Sequence, residues 1–264
     1  MAGSVSDEAG GLHWPGTRPL ACVLVHGFTA TPDEVRPLGD ALATAGFPCH
    51  AIRLPGHGTT IADLALVRHR DWIAAVEAAV RAAAVRTPRV AVAGVSLGAL
   101  LAIAVAGSGR VPLSALALCG TPLRFADERT AWLRWLPWVP RVARPGTIVR
   151  KRRGRDILDE AARARSLAYE AMPLAAVVEL LRLRAVVRRR LAYVTQPTLL
   201  LHGRHDRTAP IANVDELTRR LRRAQLEVEI FEQSAHVLTE DAERHAVAAR
   251  IATFLDRVAL TPPA

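Results

Sequence analysis

Lysine is almost missing from this chain. Lys151 is the only one among 35 basic residues, so arginine carries the formal net charge of +10. Zinc-ligand spacings, RNA-binding aromatic boxes and basic heptads are absent as well, so the arginine excess reads as a compositional habit and no nucleic-acid partner is expected. Long apolar runs are also lacking: the longest, residues 99–106, falls far short of the ~20 residues that cross a bilayer. The first 20 residues contain Asp7, Glu8 and two prolines but neither a basic n-region nor an apolar h-region, so they do not read as a secretory signal. Cysteine is scarce and odd in number. Cys22, Cys49 and Cys119 are widely spaced, each within an apolar run, which predicts buried thiols in a reducing, cytoplasmic compartment and no metal or redox role.

What is present is a core-former. The chain has 264 residues, 50% of them hydrophobic, enough for one large domain or a domain with an insertion. Short β-rich runs at 21–25, 48–54, 90–93, 113–119, 198–202 and 227–231 alternate with helical patterns. One helix is predicted over 32–45, opened by Thr31 as N-cap and Pro32 at its first position and stopped at Gly46; another over 71–86 ends before Pro88. The runs at 21–25, 90–93 and 198–202 are near-continuously apolar, as central strands of a parallel sheet covered on both faces must be. This alternation predicts a doubly wound, mostly parallel α/β sheet.

One interval breaks the rhythm. Between Cys119 and Thr198 lie far more residues than a crossover helix needs, with three tryptophans and an arginine-rich segment. The pattern predicts a core of residues 21–120 and 194–260, a helical cap inserted over 121–193, and an N-terminal extension over 1–20. Within the cap, Leu174, Val177, Val178, Leu181 and Ala185 follow helical spacing and predict an apolar face, with Glu179, Arg182 and Arg189 away from its centre.

The chemistry is read from "VAGVSLGAL". A serine at the apex of a tight strand-to-helix turn is lifted off the C-terminal edge of the sheet, where open α/β sheets bind ligands. Gly94 and Gly98, two before and two after Ser96, let helix and strand approach, as in a G-x-S-x-G nucleophile elbow. A serine hydroxyl needs an imidazole to take its proton, and the imidazole needs a carboxylate to fix its tautomer. Asp206, after the strand of "PTLLLHGRHD", and His236, after the strand of "LEVEIFEQSAH", can fill those roles. A turn or N-cap role is the alternative for Asp206. In "LVHGFTATP" the backbone N–H of Phe28 can pair with that of Leu97 to form an oxyanion hole. His26 reads as a structural hydrogen-bonder, His57 as a prop for the loop "RLPGHG", His205 as turned away, and Asp241 and His245 as surface groups of the last helix.

In order and spacing, "LVHGFTATPDEVRPLGDAL", "RLPGHG", Asp71-Trp72, "VAGVSLGAL", "PTLLLHGRHD" and "EQSAHVLTED" resemble the α/β-hydrolases, and within them the small bacterial carboxylesterases and monoacylglycerol lipases. The resemblance runs from Cys22 onward. It implies cleavage of carboxylic esters of short to medium acyl chains without a metal or organic cofactor, with Ser96 as nucleophile, Asp206 as acid, His236 as base, and Phe28 and Leu97 as oxyanion donors. Thioester, lactone or amide hydrolysis, acyl transfer, and non-catalytic ligand binding are the alternatives on this fold. The short N-terminal segment implies six or seven strands rather than eight. In the cap, Trp132, Trp135 and Trp138 recur beside Arg129, Arg134 and Arg141, a mixture also seen in membrane-surface helices. Pro137 and Pro140 forbid a long helix there, so Trp132 and Trp135 are assigned to an apolar acyl pocket, and peripheral membrane contact is not favoured.

Overall fold

The computed structural model describes residues 5–6, 10–126, 147–150 and 155–261. Its strands, in chain order, are β1 (Val5–Ser6), β2 (Leu12–Trp14), β3 (Leu20–Val25), β4 (Cys49–Ile52), β5 (Arg89–Val95), β6 (Ala115–Cys119), β7 (Ile148–Arg150), β8 (Ala171–Pro173), β9 (Thr198–Gly203) and β10 (Leu226–Phe231). The helices are α1 (Arg36–Thr44), α2 (Ile61–Leu66), α3 (His69–Arg86), α4 (Leu97–Ala106), α5 (Glu160–Arg165), α6 (Leu174–Arg190), α7 (Ala212–Arg220) and α8 (Arg244–Leu260). The main sheet runs β1-β2-β4-β3-β5-β6-β9-β10. From β4 to β10 all neighbours are parallel, and β2 joins β4 antiparallel. Those are the six or seven strands expected; the two-residue β1 extends the edge by an eighth.

Strand alternation divides the interior into two cores. On one face Val23, Val25, Val90, Val92, Leu116, Leu118 and Leu200 meet α3, α4, α6 and α7. On the other, Cys22, Leu24, Ala91, Ala93, Ala115, Ala117, Leu199 and Leu201 meet α1 and α8. Alanines on the central strands leave room on this second face for Leu38, Leu42, Ile251 and Phe254 of the two helices, which are all buried. Every residue of β3 and β9 is buried, as their near-continuous apolar sequence predicts, whereas β10 at the edge stays mostly half-exposed. All three cysteines are buried and free, and burial pushes the Cys22 and Cys119 thiols up to about 12. Among the described residues no helix is long and apolar enough to cross a membrane.

Between β6 and β9 the described residues form α5, the antiparallel pair β7–β8, and the long helix α6. Helix α6 does lie on an apolar surface, and Val178 and Leu181 of the predicted face are buried, but the residues that join the core under α3 and α4 are Ala176, Leu180, Leu183 and Val187, outside that face. Leu174, Val177 and Ala185 are half-buried, and Glu179 is buried against His69. Helix α6 carries apolar residues on two stripes of the same period, so periodicity alone does not choose between them. Trp132, Trp135 and Trp138 lie outside the described residues.

Candidate active site

At the C-terminal ends of the central strands the chain makes a forced turn. Ser96 joins β5 to α4 with φ 53° and ψ −106°, a conformation an L-residue holds at a cost of about 1–3 kcal/mol. The Ser96 N–H donates to Cys119 O at 2.9 Å, which fastens the turn to β6. The two flanking glycines are required by contact. A Cβ at Gly94 would lie 2.3 Å from the Gly98 carbonyl carbon, and one at Gly98 would lie 2.0 Å from Val25 O. Two glycines thus allow the serine to stand where no other backbone fits.

His236 and Asp206 come to it from the neighbouring loops. His236 Nε2 lies 2.8 Å from Ser96 Oγ, and His236 Nδ1 lies 2.8 Å from Asp206 Oδ2. The Asp206 side chain is fully buried. Its other oxygen accepts the N–H groups of Thr208 at 2.9 Å and Ala209 at 2.7 Å, which fixes the carboxylate plane toward the imidazole. Burial alone raises the Asp206 pKa, but the charge and hydrogen bond of His236, the charge of His202 and the Ala209 N–H outweigh it, and the net direction is down. For His236, burial works to lower the pKa. The charge and hydrogen bond of Asp206, helped by Asp156 and Glu34, overcome it and move the value above 6.5. With Nδ1–H donating to Asp206, the neutral ring offers its Nε2 lone pair to the serine hydroxyl.

The predicted oxyanion donors belong to the start of α4 and to the loop after β3. Leu97 is the first residue of α4, so its N–H is one of the donors a helix N-terminus leaves unused. The Phe28 N–H has no acceptor among the described residues. The loop that carries it is held at several points. His26 Nδ1 donates to Gly27 O at 2.9 Å while its Nε2 accepts the Leu54 N–H at 3.2 Å, and burial, then His57, push its pKa down to about 3, so the ring stays neutral. The Gly27 N–H donates to Glu34 Oε2 at 2.5 Å, and Thr29 takes a positive φ of 68°. Phe28, His57 and Trp72 meet edge-on with ring centroids about 6 Å apart, and Trp72 Nε1 donates to Pro55 O. Trp72 therefore packs against the "RLPGHG" loop, while Asp71 accepts the Arg68 N–H at the start of α3.

One reading needs correction. Asp241 is a fully buried residue ahead of α8, and its carboxylate accepts from Leu158, Asp159 and Ala235 N–H groups. His245 is exposed on α8, and His205 is exposed beside the acid loop. Sequence reasoning passed over His202, a buried ring whose Nε2 lies 2.9 Å from Ala209 O and 3.3 Å from Asp206 Oδ2; the signal was a lone polar residue in the apolar run of β9. It also passed over Asp156, which has no such local signal.

In sequence and fold the chain is similar to known hydrolases. The family model described as serine aminopeptidase, S33 matches residues 18–243. The chain is 29% identical over 237 residues to the thermostable monoacylglycerol lipase of Bacillus sp. (strain H-257), covering 89% of this chain and 90% of that protein. It is 24% identical over 239 residues to the carboxylesterase of Bacillus subtilis (strain 168), covering 90% and 93%. Among solved structures, one described as from the metagenome-derived lipolytic enzymes LipS and LipT superposes with a TM-score of 0.84 at 28% identity, covering 96% of this chain and 99% of that one.

Proposed function

The chain belongs to the serine aminopeptidase, S33 family of α/β-hydrolases, and from that premise we propose that it is a carboxylic ester hydrolase of the carboxylesterase or monoacylglycerol lipase kind, working through an acyl-enzyme. The observation that carries this reading is the unbroken hydrogen-bond chain from Ser96 through His236 to Asp206, with the serine held at positive φ. Ser96 Oγ attacks the ester carbonyl as His236 Nε2 takes its proton, and Asp206 stabilises the imidazolium. The N–H groups of Phe28 and Leu97 receive the oxyanion. His236 then protonates the leaving alcohol, and water, deprotonated by the same ring, releases the acid.

The two Bacillus relatives support a small ester as substrate, and the buried free thiols fit a reducing cytoplasm. The interval between β6 and β9 is assigned as the cap that closes over the serine. The family description favours one second reading, amide hydrolysis by the same three residues. Aryl and glyceryl esters of graded acyl length, tested beside aminoacyl anilides, separate the two. Ester turnover that vanishes in Ser96→Ala is expected, and turnover of the anilides alone overturns the ester reading.

A further inference from the structure

The second half of the inserted interval contains a carboxylate that neither the triad nor the oxyanion loop uses. Asp156 is 8% exposed. Its Oδ2 accepts the Arg207 N–H at 2.8 Å and the Thr208 hydroxyl at 2.9 Å, and its Oδ1 accepts Arg207 Nε at 3.0 Å. Its backbone carbonyl accepts the N–H groups of His236 at 3.1 Å and Val237 at 3.3 Å. One residue thus grips the acid loop with its side chain and the base loop with its main chain.

We propose that Asp156 is a positioning residue for ester hydrolysis, setting the separation of Asp206 and His236 by tying both of their loops to one point. The proposal rests on the hydrolase reading above. The tripeptide after Asp206 is shared between two carboxylates: Thr208 and Ala209 give their N–H groups to Asp206, while the Arg207 N–H and the Thr208 hydroxyl go to Asp156. Without Asp156 those two donors lose their acceptor, and the tripeptide that aims Asp206 is freer to rotate. The neighbouring residues of the same strap are themselves anchored, since Leu158 and Asp159 donate to Asp241 Oδ1 while Asp241 Oδ2 holds the Ala235 N–H beside the base. Asp156 therefore has a fixed support from which to act.

A merely structural role and a positioning role differ in what they change. Asp156→Asn keeps the shape but removes the charge. The groups that act on the His236 ring are Asp206 and His202 from β9 and its loop, Asp156 from the strap, and Glu34 from the turn before α1. Loss of one of the three carboxylates moves the rising limb of kcat/KM toward lower pH, and loosened loops lower kcat by about 10- to 100-fold with KM little changed. Rates are measured per active site titrated with a fluorophosphonate, beside the melting temperature and beside Asp63→Asn, which alters only an exposed capping carboxylate of α2 and is expected to behave as the native chain. Native kcat with an unmoved limb in Asp156→Asn overturns the proposal, as does a rate loss that disappears on titration. Should that variant not fold, Thr208→Val carries the test: it removes one bond to Asp156 and spares the Thr208 N–H to Asp206. A fall of kcat with the limb unmoved is then expected, and native kcat overturns the proposal. Absence of ester hydrolysis in the native chain sinks the hydrolase reading itself; hydrolysis with an indifferent Asp156 sinks only the positioning role.

Discussion

Gly203 ends β9, directly before the acid loop, and pairs with Phe231 at the end of β10. A Cβ placed on it would lie 2.0 Å from Ala235 O and 2.5 Å from Ser234 O, far inside the 3.0 Å below which real Cβ contacts are not seen. Both obstacles are backbone, so neither swings away as a side-chain tip would. Gly203→Ala must therefore move the segment before His236 by roughly 1 Å, and a misplacement of that size costs on the order of 100-fold in kcat. Overpacking of this kind also lowers stability by about 1–3 kcal/mol, or a few degrees in melting temperature for each kcal/mol. Thermal melts and initial rates per titrated active site read the two effects separately. The matched control is Gly109→Ala. Gly109 has φ +65° and nothing within 4 Å of the point where a Cβ would stand, so it is expected to lose a little stability and no activity. A Gly203→Ala enzyme with native kcat refutes the rigid coupling of these loops.

The raised pKa of His236 has a definite sign for catalysis, since the base works only when neutral: kcat/KM should climb with pH through a value above 6.5, and a limb centred below 6.5 contradicts the pairing with Asp206. The same shift ties stability to the proton, giving a contribution fully present below 6.5 and lost as pH rises through the folded value. A fluorophosphonate should label Ser96 alone, with label and activity both lost in Ser96→Ala; mass spectrometry of the labelled peptide decides. Asp206→Asn should fold but lose about 10⁴ in kcat, as expected when an imidazole is held in the wrong tautomer; an active Asp206→Asn removes the acid from its role. Glu240 is pushed up to about 8 by burial and by Glu34, so folding takes up a proton between 4.5 and that value. Glu240→Gln should therefore raise the melting temperature near pH 8 and leave it unchanged near pH 4, which pH-dependent melts test.

The Ser96 turn was legible because every constraint on it is local: a strand, a turn and a helix with glycines two residues away. Cover on both faces of the sheet was legible for a similar reason, since near-continuous apolar runs at 21–25, 90–93 and 198–202 leave neither face for water; which residue enters which core is seen only in the fold. Helix α6 was legible only in part, because aliphatic residues lie on either side of the predicted face and the neighbouring helices decide which of them join the core. Asp156 and Asp241 were illegible for another reason. Asp241 is held by main-chain N–H groups that carry no side-chain signature, and the partners of Asp156, main-chain and side-chain alike, lie 51 and 52 residues away in sequence. Any acidic residue in a loop looks like a surface group until the chain folds around it.

Every residue of α4 is buried, and Ser96 is slung between that helix and the interior strand β5. His236 follows β10, the half-exposed strand at the rim. The proposed nucleophile and its proposed base therefore belong to regions expected to open at different free energies. Amides of Leu100 to Ala106 should exchange with deuterated solvent only when the whole chain unfolds, whereas those of Leu226–Phe231 should exchange through smaller, earlier openings. On warming, turnover is then lost when the rim loosens and carries the imidazole away, with the serine turn still intact. Inactivation of that kind should reverse on cooling, with activity expected to fall at temperatures below the unfolding transition.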